Sequence, residues 1–530
     1  MLRRVVARAA DEGWSALRLA RAGLLRPMPP HQLAMVGRAL HHYGAFGAAL
    51  ALAAARDPDQ PGLVDERGTL TFGEIDRRSN ALANEWLRSG LRPGCGVGVL
   101  ARNHRGLVDA LFAGTKIGAR IVLLNTDFGA DQLRDVLARE GAELLVHDEE
   151  FSGAVAGVDV AKQRAWADGP GDDTLDALIE RGDPSPTPDP GVRPKIVILT
   201  SGTSGPPKGA TRSVPPSLLP AAGLLDKVPF PAGGVTECAT PLFHSLGFGH
   251  LMFTLLLAST LVLRRRFDPR QTLESVAAQR ASGLVLVPVM LRRLLDAGPA
   301  DYDLSSLRII FVAGSQLGGP LCSRAMDEFG PVVYNLYGST EVAYATIATP
   351  DDLAHEPACV GRVVRGAVVK ILDDDGREVS AGTTGRIFVG NDVQFEGYTG
   401  GGGKEMVHGL MSSGDVGHFD AAGRLFVDGR DDEMIVSGGE NVFPAEVEDA
   451  LSAHADVVEA AVVPVEDDEY GQRLRGFVVL RPGASLSEQD VKDYLRGRLA
   501  RFKVPREVLF VDELPRNPTG KVLKRQLAQE

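Results

Sequence analysis

Short apolar runs alternate with amphipathic stretches along most of this chain. The runs are residues 97–100, 120–124, 143–146, 284–287, 308–312 and 332–336. Buried strands that are joined through crossover helices produce this alternation. We therefore expect an α/β fold that is built on parallel, doubly wound sheets.

The length of the chain and a change of pattern near residue 356 predict several domains. A chain of 530 residues exceeds the size at which one hydrophobic core keeps growing. Short strands and glycine turns follow, as at 373–376 and 420–424, and they predict a small β-barrel-like element that ends near Arg430. Short strands and amphipathic helices then predict a small α+β domain. The predicted organisation is an N-terminal extension over residues 1–50, a large N-terminal domain over 51–430 and a small C-terminal domain over 431–530.

Composition excludes some classes of function. The net charge of -12 argues against a broad nucleic-acid surface, so we expect no nucleic-acid partner. The four cysteines have neither the spacing of a zinc site nor the density of a disulfide framework, which indicates a reducing cytoplasm. The apolar stretch 251–263 is too short to span a bilayer. We expect a buried helix and strand there.

The N-terminal fifty residues are basic and amphipathic. Only Asp11 and Glu12 oppose their arginines, which are Arg3, Arg4, Arg8, Arg18, Arg21, Arg26 and Arg38. We expect a helix that packs on the body of the protein, and attachment to a membrane surface is the alternative. No compact apolar region with a cleavage site follows the arginines, so a cleaved signal is not expected.

A loop of hydroxyls, glycines and one lysine follows the apolar strand at 196–199. Its residues are Thr200, Ser201, Gly202, Thr203, Ser204, Gly205, Pro206, Pro207, Lys208 and Gly209. Glycines let a backbone approach a polyphosphate, while hydroxyls, amides and a lysine can bind its oxygens. The spacing differs from that of a Walker loop. Taken alone, the loop predicts a phosphate site, and a structural Gly-Ser turn is the alternative.

This loop resembles the signature of the acyl-adenylate-forming superfamily, which includes acyl-CoA synthetases, peptide-synthetase adenylation domains and firefly luciferases. Ser204 stands where that family usually has threonine, so the hydroxyl is retained, and the resemblance spans about residues 58 to 524. It implies a catalytic role for Thr200. It also implies ATP contacts from Ser201, Gly202, Thr203, Ser204, Gly205 and Lys208.

Two further segments resemble nucleotide-binding elements of the family. Residues 335–341 are similar to a segment whose tyrosine, here Tyr337, lies against the adenine beside Gly338. The same resemblance implies that Thr340 contacts phosphate and that Glu341 acts in catalysis by holding Mg²⁺, since hard cations favour carboxylates. Without the family, Thr340 and Glu341 are equally consistent with a helix start. In the second segment, 313–316, Gly314 and Ser315 are expected beside the adenine and acyl sites.

The sequence 412–415, followed by Gly429 and Arg430, resembles the family's ribose site. An aspartate can accept both ribose hydroxyls, and the resemblance implies this role for Asp415 and a nucleotide contact for Arg430. Residues 408–411 stand where the family usually has an aromatic residue. We interpret this departure as a local packing difference.

The last element, 515–521, resembles the family loop whose lysine reaches the reacting carboxylate and α-phosphate. The resemblance implies that Lys521 is catalytic during adenylation; a flexible tail is the alternative. It also implies a mobile C-terminal domain that then turns about Asp432 and brings Ser437, Gly438 and Gly439 to CoA. These glycines would leave room for a pantetheine arm. An ordinary glycine turn before a helix near residue 444 is the other interpretation.

Residues 241–249 resemble the family segment beside the acid-binding tunnel, which makes His244 the candidate gate for the carboxylate. A buried packing histidine is the alternative. Residues 246–249 predict an open apolar pocket and, with the basic N-terminal segment, favour a medium- or long-chain fatty acid over acetate. An aryl acid is the alternative substrate.

The expected activity is that of an ATP-dependent acyl-CoA synthetase, in which a carboxylate attacks ATP and CoA then displaces AMP. ATP, Mg²⁺ and CoA are the expected cofactors and co-substrates, and a small carboxylic acid is the expected substrate. Transfer to a carrier protein and a silent ATP- or AMP-sensing module are the alternatives. The sequence leaves open whether the protein is a homodimer.

Overall fold

The computed structural model describes the chain except residues 1, 25, 160–162, 170, 201–207, 212–216, 400, 438–439, 468–470, 518–519 and 530. The chain divides into two compact units. The first comprises Met1–Leu286, Arg293–Phe311 and Asp392–Gly403, and the second comprises Val287–Arg292, Val312–Asn391 and Lys404–Glu530. These limits differ from the domain limits at residues 50 and 430, which remain predictions.

The regular elements are numbered in chain order. The helices are α1 (Leu2–Arg21), α2 (Pro30–Arg56), α3 (Phe72–Arg88), α4 (Arg105–Lys116), α5 (Ala130–Arg139), α6 (Ser152–Val155), α7 (Leu175–Arg181), α8 (Leu219–Lys227), α9 (Ser245–Leu256), α10 (Pro269–Ala278), α11 (Pro288–Asp296), α12 (Gly319–Phe329), α13 (Pro350–His355), α14 (Pro444–Ser452), α15 (Glu488–Arg496) and α16 (Lys524–Leu527). The strands are β1 (Pro61–Asp65), β2 (Gly68–Thr71), β3 (Gly96–Leu100), β4 (Arg120–Leu123), β5 (Ala142–His147), β6 (Gln163–Trp166), β7 (Lys195–Thr200), β8 (Lys208–Thr211), β9 (Val235–Cys238), β10 (Thr260–Leu263), β11 (Gly283–Leu286), β12 (Ile309–Val312), β13 (Val333–Tyr337), β14 (Thr346–Ala348), β15 (Arg362–Val363), β16 (Ala367–Leu372), β17 (Gly385–Asn391), β18 (Gly397–Tyr398), β19 (Met406–Val407), β20 (Leu410–Phe419), β21 (Leu425–Arg430), β22 (Ile435–Ser437), β23 (Glu440–Val442), β24 (Val457–Asp467), β25 (Gly471–Leu480) and β26 (Glu507–Phe510).

A seven-stranded sheet in the first unit has the order β18-β8-β7-β4-β3-β5-β6. Five strands, β7, β4, β3, β5 and β6, are parallel to one another. Strands β8 and β18 at the other edge are antiparallel to their neighbours. Every residue of β3 is buried, which explains why these strands are almost purely apolar. The parallel sheet predicted from the apolar runs is confirmed, with strand limits that match within one residue.

In a second sheet, six neighbouring strands follow the order β12-β11-β9-β10-β1-β2. Strands β1, β10, β9 and β11 pair in parallel, and β2 forms an antiparallel edge. Local sequence signals set the limits of the adjoining helices. Thr71 and Glu74 form a reciprocal capping box at the start of α3, and Asp268 caps α10 ahead of Pro269, as these residue types favour. The stretch 251–263 is a helix end followed by β10, as expected.

The N-terminal helices pack on the first unit. Arg18 of α1 donates to the Leu225 carbonyl at 3.2 Å, and Glu12 accepts a hydrogen bond from Ser217 at 2.6 Å. Further along, Phe46 of α2 stacks on Phe112 with ring centroids 4.7 Å apart. This arrangement agrees with the first of the two interpretations of the basic segment. Among the helices that the structure describes, none has the length and apolar character needed to cross a membrane.

The second unit contains an antiparallel sheet of five strands with the order β16-β17-β20-β19, in which β21 also pairs with β20. Strand β21 ends at Arg430, where the sequence predicted the end of a β element. The turn at 420–424 joins β20 to β21 and places Asp415 opposite Arg430 in register. The sheet thereby brings together two residues that lie fifteen positions apart in the sequence.

The end of the chain forms an α+β region around the sheet β23-β22-β25-β24, in which β26 pairs with β25. One apolar core includes Ile435, Val447 and Leu495, and a smaller one includes Phe477 and Leu514. Helix α14 begins at Pro444, as expected. The predicted fold class, an α/β protein with a barrel-like element and a small C-terminal α+β region, is confirmed.

Candidate functional site

The predicted phosphate loop begins and ends on two paired strands of the first unit. Thr200 closes β7 and Lys208 opens β8, and the two are partners in the antiparallel register. The ammonium of Lys208 lies 5.0 Å from the ring centroid of Tyr398. The loop residues between them, Ser201, Gly202, Thr203, Ser204 and Gly205 among them, lie outside the described residues. Thr200 therefore lies at the carboxyl end of a central parallel strand, where α/β sheets bind ligands.

Position 209 requires a glycine because the surrounding atoms leave no room for a side chain. A Cβ atom at this position would lie 2.6 Å from both Thr399 Oγ1 and Val197 Cγ1. Thr399 in turn donates to the buried carboxylate of Glu140 at 2.6 Å. The end of the predicted loop is thus closely packed at Gly209.

A cluster around Asp415 forms the most tightly bonded part of the candidate site. The Tyr337 hydroxyl donates to Asp415 Oδ2 at 2.6 Å, and Arg430 Nη1 donates to Oδ1 at 3.2 Å. The Asp415 side chain is 14% exposed, and its burial raises its pKa, although Tyr337 and Arg430 partly offset this shift. Tyr337 and Arg430 thus each donate to a different oxygen of the carboxylate, which has further acceptor capacity.

Gly414 and Arg430 depend on each other. Gly414 has a φ of +82°, and a Cβ atom there would lie 3.2 Å from two nitrogens of the Arg430 guanidinium. Glycine therefore serves both the backbone conformation and the close approach of Arg430. Arg430 Nε also donates to Asp432 Oδ1 at 3.0 Å. One guanidinium thus joins the predicted ribose ligand Asp415 to the predicted hinge Asp432.

Residues 338–342 form a turn that begins directly after β13. Ser339 Oγ donates to Glu341 Oε2 at 2.9 Å and accepts from the Glu341 amide at 3.2 Å. Thr340 and Glu341 lie in this turn, so the alternative that they start a helix is wrong. A Cβ atom on Gly338 would lie 2.1 Å from the Ala343 carbonyl oxygen, which leaves glycine as the residue that fits.

The Gly314 and Ser315 loop follows β12, and its neighbour Gln316 contacts the C-terminal region. Gly314 has a φ of +98°, and Ser315 is exposed. Gln316 Nε2 donates to Asp449 Oδ2 of α14 at 2.9 Å. Burial, and to a smaller extent the charge of Glu448, raises the pKa of Asp449 to about 7. No sequence motif indicated this contact, because helix α14 has an ordinary amphipathic pattern.

Lys521 lies on a short hairpin near the end of the chain. Arg516 and Val522 form an antiparallel bridge, and the Lys521 amide donates to Asn517 Oδ1 at 2.9 Å. Gly520 has a φ of +76°, and a Cβ atom there would lie 2.3 Å from Val289 Cγ1. The hairpin therefore packs against the residues that follow β11. The described residues on either side of positions 518–519 thus make specific contacts.

The predicted CoA segment lies between two strands of the C-terminal sheet. Ser437 ends β22 and pairs in register with Glu440 of β23, and it also pairs with Gly471 of β25. Gly438 and Gly439 lie outside the described residues. Strands β22 and β23 thus flank the predicted glycine turn directly before helix α14.

His244 lies in the first unit at the N-terminus of α9. It is the residue before the helix and makes no side-chain cap hydrogen bond. Its Nε2 atom is buried and has no hydrogen-bond partner among the described residues, and burial lowers its pKa to about 4. Gly247 in the first turn of α9 is required, since a Cβ atom would lie 2.3 Å from the Pro241 carbonyl oxygen. His244 is therefore neutral at pH 7 and retains an unused ring nitrogen.

The described residues contain no group of three or more His, Cys, Asp or Glu side chains that could hold a metal ion by themselves. Glu341 is the acidic side chain that the sequence proposed for Mg²⁺. Mg²⁺ commonly takes one or two protein carboxylates and completes its shell with phosphate oxygens and water. A single carboxylate such as that of Glu341 fits that pattern.

The α/β fold with its barrel-like element, the strand pair that carries Thr200 and Lys208, and the buried Asp415–Arg430 pair are typical of one class of enzyme. It is the class of ATP-dependent, AMP-forming acid–thiol ligases, which work through an acyl adenylate. The chain belongs to the AMP-binding enzyme family. The family model matches residues 50–399, and the model of the AMP-binding enzyme C-terminal domain matches residues 446–521.

Known proteins resemble this chain over nearly its full length. It is 32% identical to an indoleacetate–CoA ligase of Aromatoleum aromaticum, covering 90% of this chain and 96% of the relative. It is 31% identical to ScoC, a fatty acid–[acyl-carrier-protein] ligase of Streptomyces coeruleorubidus, over 89% of this chain and 94% of the relative. The o-succinylbenzoate CoA synthetase of Bacillus subtilis, solved with its acyl-adenylate intermediate, has a TM-score of 0.80 and 27% identity, covering 90% of this chain and 97% of that chain.

The family resemblance predicted from the motifs is thereby confirmed, as is the use of ATP, Mg²⁺ and CoA at the level of this class. The coarse activity is AMP-forming ligation of a carboxylic acid to a thiol. The relatives act on acids of different chemistry, an arylacetic acid in one case and a fatty acid in another. The acid that this chain activates is therefore a separate question.

Proposed function

We propose that this protein activates an apolar carboxylic acid, larger than acetate, and transfers it to CoA. A carboxylate oxygen attacks the α-phosphorus of ATP and pyrophosphate leaves. The CoA thiolate then attacks the acyl carbon and AMP leaves. The observation that carries the proposal is the buried Asp415 cluster, because it presents a carboxylate with unused acceptor capacity beside Tyr337 and Arg430.

In this proposal Asp415 accepts hydrogen bonds from the ribose hydroxyls, while Tyr337 and Arg430 hold its carboxylate in one orientation. Tyr337 lies beside the adenine, together with Gly314, Ser315 and Gly338. Thr340 contacts a phosphate. The phosphate loop from Thr200 to Lys208 surrounds the remaining phosphates with amides and hydroxyls. These contacts position ATP, and positioning supplies much of the rate in phosphoryl-group chemistry.

Glu341 would hold Mg²⁺ together with phosphate oxygens. The ion would neutralise charge on the phosphates and favour the departure of pyrophosphate. The short bond from Ser339 fixes one oxygen of Glu341, which restricts the orientation of the carboxylate. Glu341→Ala should therefore raise the Mg²⁺ concentration needed for pyrophosphate release more than it raises the KM for the acid.

Lys521 supplies positive charge to the carboxylate and the α-phosphate during the first step. A unit charge about 4 Å away contributes about 4 kcal/mol at an effective dielectric constant near 20. Support comes from the packing of its hairpin next to Val289, because Val289 follows the carboxyl end of β11, where ligands of α/β sheets bind. The hydrogen bond from the Lys521 amide to Asn517 would help to hold the ammonium in place before the reaction.

For the second step we propose that residues 431–530 move as a domain about Asp432. This movement would remove Lys521 and bring Ser437, Gly438 and Gly439 to CoA. The support is the position of Asp432 directly after β21, where Arg430 holds it. The glycines would leave space for the pantetheine arm. The domain limits at residues 50 and 430 belong to this proposal.

His244 and helix α9 support an apolar acid. The unpaired Nε2 of His244 lies at a helix N-terminus, which favours a carboxylate. The helix that follows is rich in Leu and Phe, and Phe248 lies 5.3 Å from Phe46 between ring centroids. We propose a medium- or long-chain fatty acid as the first candidate, in line with the fatty acid activated by the Streptomyces relative.

An aryl acid is the second candidate, and the indoleacetate–CoA ligase relative favours it. The Phe46, Phe112 and Phe248 cluster suits either substrate, since aromatic rings pack on alkyl chains and on other rings. The two candidates differ in shape. A flexible chain needs a longer pocket than a ring does, so rates across a chain-length series distinguish them.

Pyrophosphate release is the direct test. The purified protein is given ATP and Mg²⁺ with fatty acids from acetate to palmitate, or with benzoate, coumarate and indoleacetate, each with and without CoA. Release and thioester formation with apolar acids support the proposal. No release with any acid contradicts it, and release without thioester indicates a carrier-protein acceptor. His244→Ala should raise the KM for the acid while the KM for ATP changes little.

The N-terminal segment supports a further, separate part of the proposal, which is contact with an anionic membrane surface. Residues 1–50 carry seven arginines against two acidic residues, although the whole chain has a net charge of -12. In the same segment Leu17, Leu33 and Leu40 are 52%, 56% and 51% exposed. Basic and apolar side chains together favour anionic lipid surfaces. A variant in which all three leucines are changed to serine should show a smaller fraction of protein that sediments with phosphatidylglycerol vesicles.

A further inference from the structure

Arg292 joins helix α11 to strand β24 of the C-terminal region. Its Nη1 atom donates to the Val458 carbonyl oxygen at 2.7 Å and lies 3.6 Å from Glu459 Oε2. The same Glu459 oxygen accepts a hydrogen bond from Arg516 Nη2. One carboxylate therefore bridges two guanidiniums, of which one comes from α11 and the other from the hairpin that carries Lys521.

Arg516 extends this bridge to the backbone beside Lys521. Its Nη1 atom donates to the Gly520 carbonyl oxygen at 2.5 Å. On its other side Gly520 packs against Val289, which lies one helical turn before Arg292. The contacts thus form a continuous chain from α11 through Glu459 to the residue that precedes Lys521.

Glu459 is the carboxylate that links the two guanidiniums of this cluster. The side chains of Arg292, Glu459 and Arg516 are 23%, 15% and 20% exposed, so solvent screens them less than it screens surface pairs. Loss of the carboxylate would remove the acceptor that the two guanidiniums share. Removing one partner of a shielded cluster leaves its other charges uncompensated, which costs more than losing an exposed pair.

We propose that Glu459, held by Arg292, is a positioning residue for the adenylation step, because it fixes the Lys521 hairpin against helix α11. The inference rests on the proposed role of Lys521 in that step. A turn of residues 431–530 about Asp432 would carry Glu459 and Arg516 away from Arg292. The bridge therefore belongs to the adenylation arrangement and has no role in thioester formation.

The test compares the two half-reactions of Glu459→Gln in the full-length protein. Adenylation is measured by acid-dependent exchange of pyrophosphate into ATP, and thioester formation by CoA transfer from a synthetic acyl adenylate. We expect the exchange kcat to fall tenfold or more with the KM for ATP unchanged, since Glu459 does not touch the nucleotide. Thioester formation should stay within twofold of the wild-type rate.

Glu507→Gln is the matched control. Glu507 also bridges two arginines of the C-terminal region, Arg473 and Arg475, each at 2.7 Å, but neither belongs to α11. This variant should leave both half-reactions within twofold. If it loses adenylation as strongly as Glu459→Gln does, the loss reflects the folding of the region, and the proposal is wrong.

Arg292→Gln removes the other partner of the bridge. It should reproduce the selective loss of adenylation that is expected for Glu459→Gln. Equal losses in both half-reactions, unchanged adenylation in both variants, or failure of both to fold would each overturn the inference. Lys521→Ala separates this outcome from failure of the proposed function. If Lys521→Ala loses adenylation selectively while Glu459→Gln does not, only the bridge is refuted; if Lys521→Ala shows no selectivity, the proposed function fails instead.

Discussion

The phenolic hydroxyl of Tyr337 donates a hydrogen bond of 2.6 Å to Asp415, 78 residues further along the chain. Burial, followed by the negative charge of Asp415, raises the pKa of Tyr337 well above its usual value. Burial likewise raises the pKa of Asp415. The tyrosine therefore remains a hydrogen-bond donor at neutral pH and fixes one oxygen of the carboxylate that we assign to the ribose.

Tyr337→Phe should weaken ATP use. The variant keeps the ring but removes the donor, and a hydrogen bond to a charged group contributes about 1.5–3 kcal/mol. Part of that free energy positions Asp415, so we expect kcat/KM for ATP to fall about tenfold while the KM for the acid stays close to wild type. Initial-rate kinetics of pyrophosphate release with each substrate varied in turn measure both values.

Tyr334→Phe is the control for this prediction. Tyr334 is buried on the same strand, β13, and is 9% exposed, so its variant removes a hydroxyl from the same strand without touching Asp415. Its kinetics should match wild type. Equal effects of the two substitutions would mean that Tyr337 acts through the stability of β13 and not through Asp415.

Lys521→Ala should suppress acyl-adenylate formation by orders of magnitude and spare thioester formation from supplied acyl adenylate. The lysine is proposed to stabilise charge that develops at the α-phosphate, and this charge arises only in the first step. Pyrophosphate exchange and single-turnover CoA transfer measure the two steps. Comparable losses in both would contradict a role limited to one half-reaction.

Gly439→Leu should show the opposite selectivity. In the proposed second step the backbone near Gly439 lies along the pantetheine arm, and a leucine side chain would occupy that space. CoA transfer should therefore fall, with the KM for CoA raised, while pyrophosphate exchange stays near the wild-type rate. If exchange is lost as well, the glycine turn is needed for folding and not for CoA.

The fold could largely be predicted from the sequence because its signals are local. The run at 97–100 became β3, and the turn residues at 420–424 became the β20–β21 connection. Apolar runs mark buried strands, and glycine turns mark connections, whatever the rest of the chain does. The division into compact units was not predicted, since it depends on contacts between residues far apart in sequence.

The candidate site was predictable only residue by residue. Motifs named Tyr337, Asp415 and Arg430 separately, but the bonds among them depend on the fold that brings β13 and β20 together. Arg292 and Glu459 were missed because each sits in an ordinary helix or strand pattern without a motif. A non-local ion pair leaves no signal in a single sequence.

Gly520→Ala should impair adenylation, because the new methyl group meets Val289 at 2.3 Å and the positive φ of Gly520 is strained for alanine. We expect at least a tenfold fall in pyrophosphate exchange. Val289→Ala should restore part of the rate in the double variant by making room, while the backbone strain remains. Val289→Ala alone is the control. Absence of any restoration would mean that the hairpin does not act through this contact.

Glu237→Gln should stabilise the protein above neutral pH. Glu237 on β9 is 1% exposed, accepts a bond of 2.6 Å from Ser275 and lies 3.9 Å from Arg264. Burial raises the pKa of Glu237 to about 7, so the folded protein binds more protons than the unfolded chain between about pH 4.5 and pH 7. Stability is therefore lost as pH rises through this window. The size of the pKa shift limits this loss in the free energy of unfolding to about 3 kcal/mol.

Glutamine does not titrate, so the difference in Tm between Glu237→Gln and wild type should be near zero at pH 4.5 and reach a few degrees in favour of the variant at pH 8. Glu507→Gln should show the opposite sign in a different pH window, because the hydrogen bond from Arg473 lowers the pKa of Glu507. The charge of Glu507 stabilises the folded state above the unfolded pKa, and this stability is lost as pH falls through the lower folded pKa. Thermal unfolding at a series of pH values checks both. A Tm difference for Glu237→Gln that is the same at every pH would show that its ionisation costs the fold nothing.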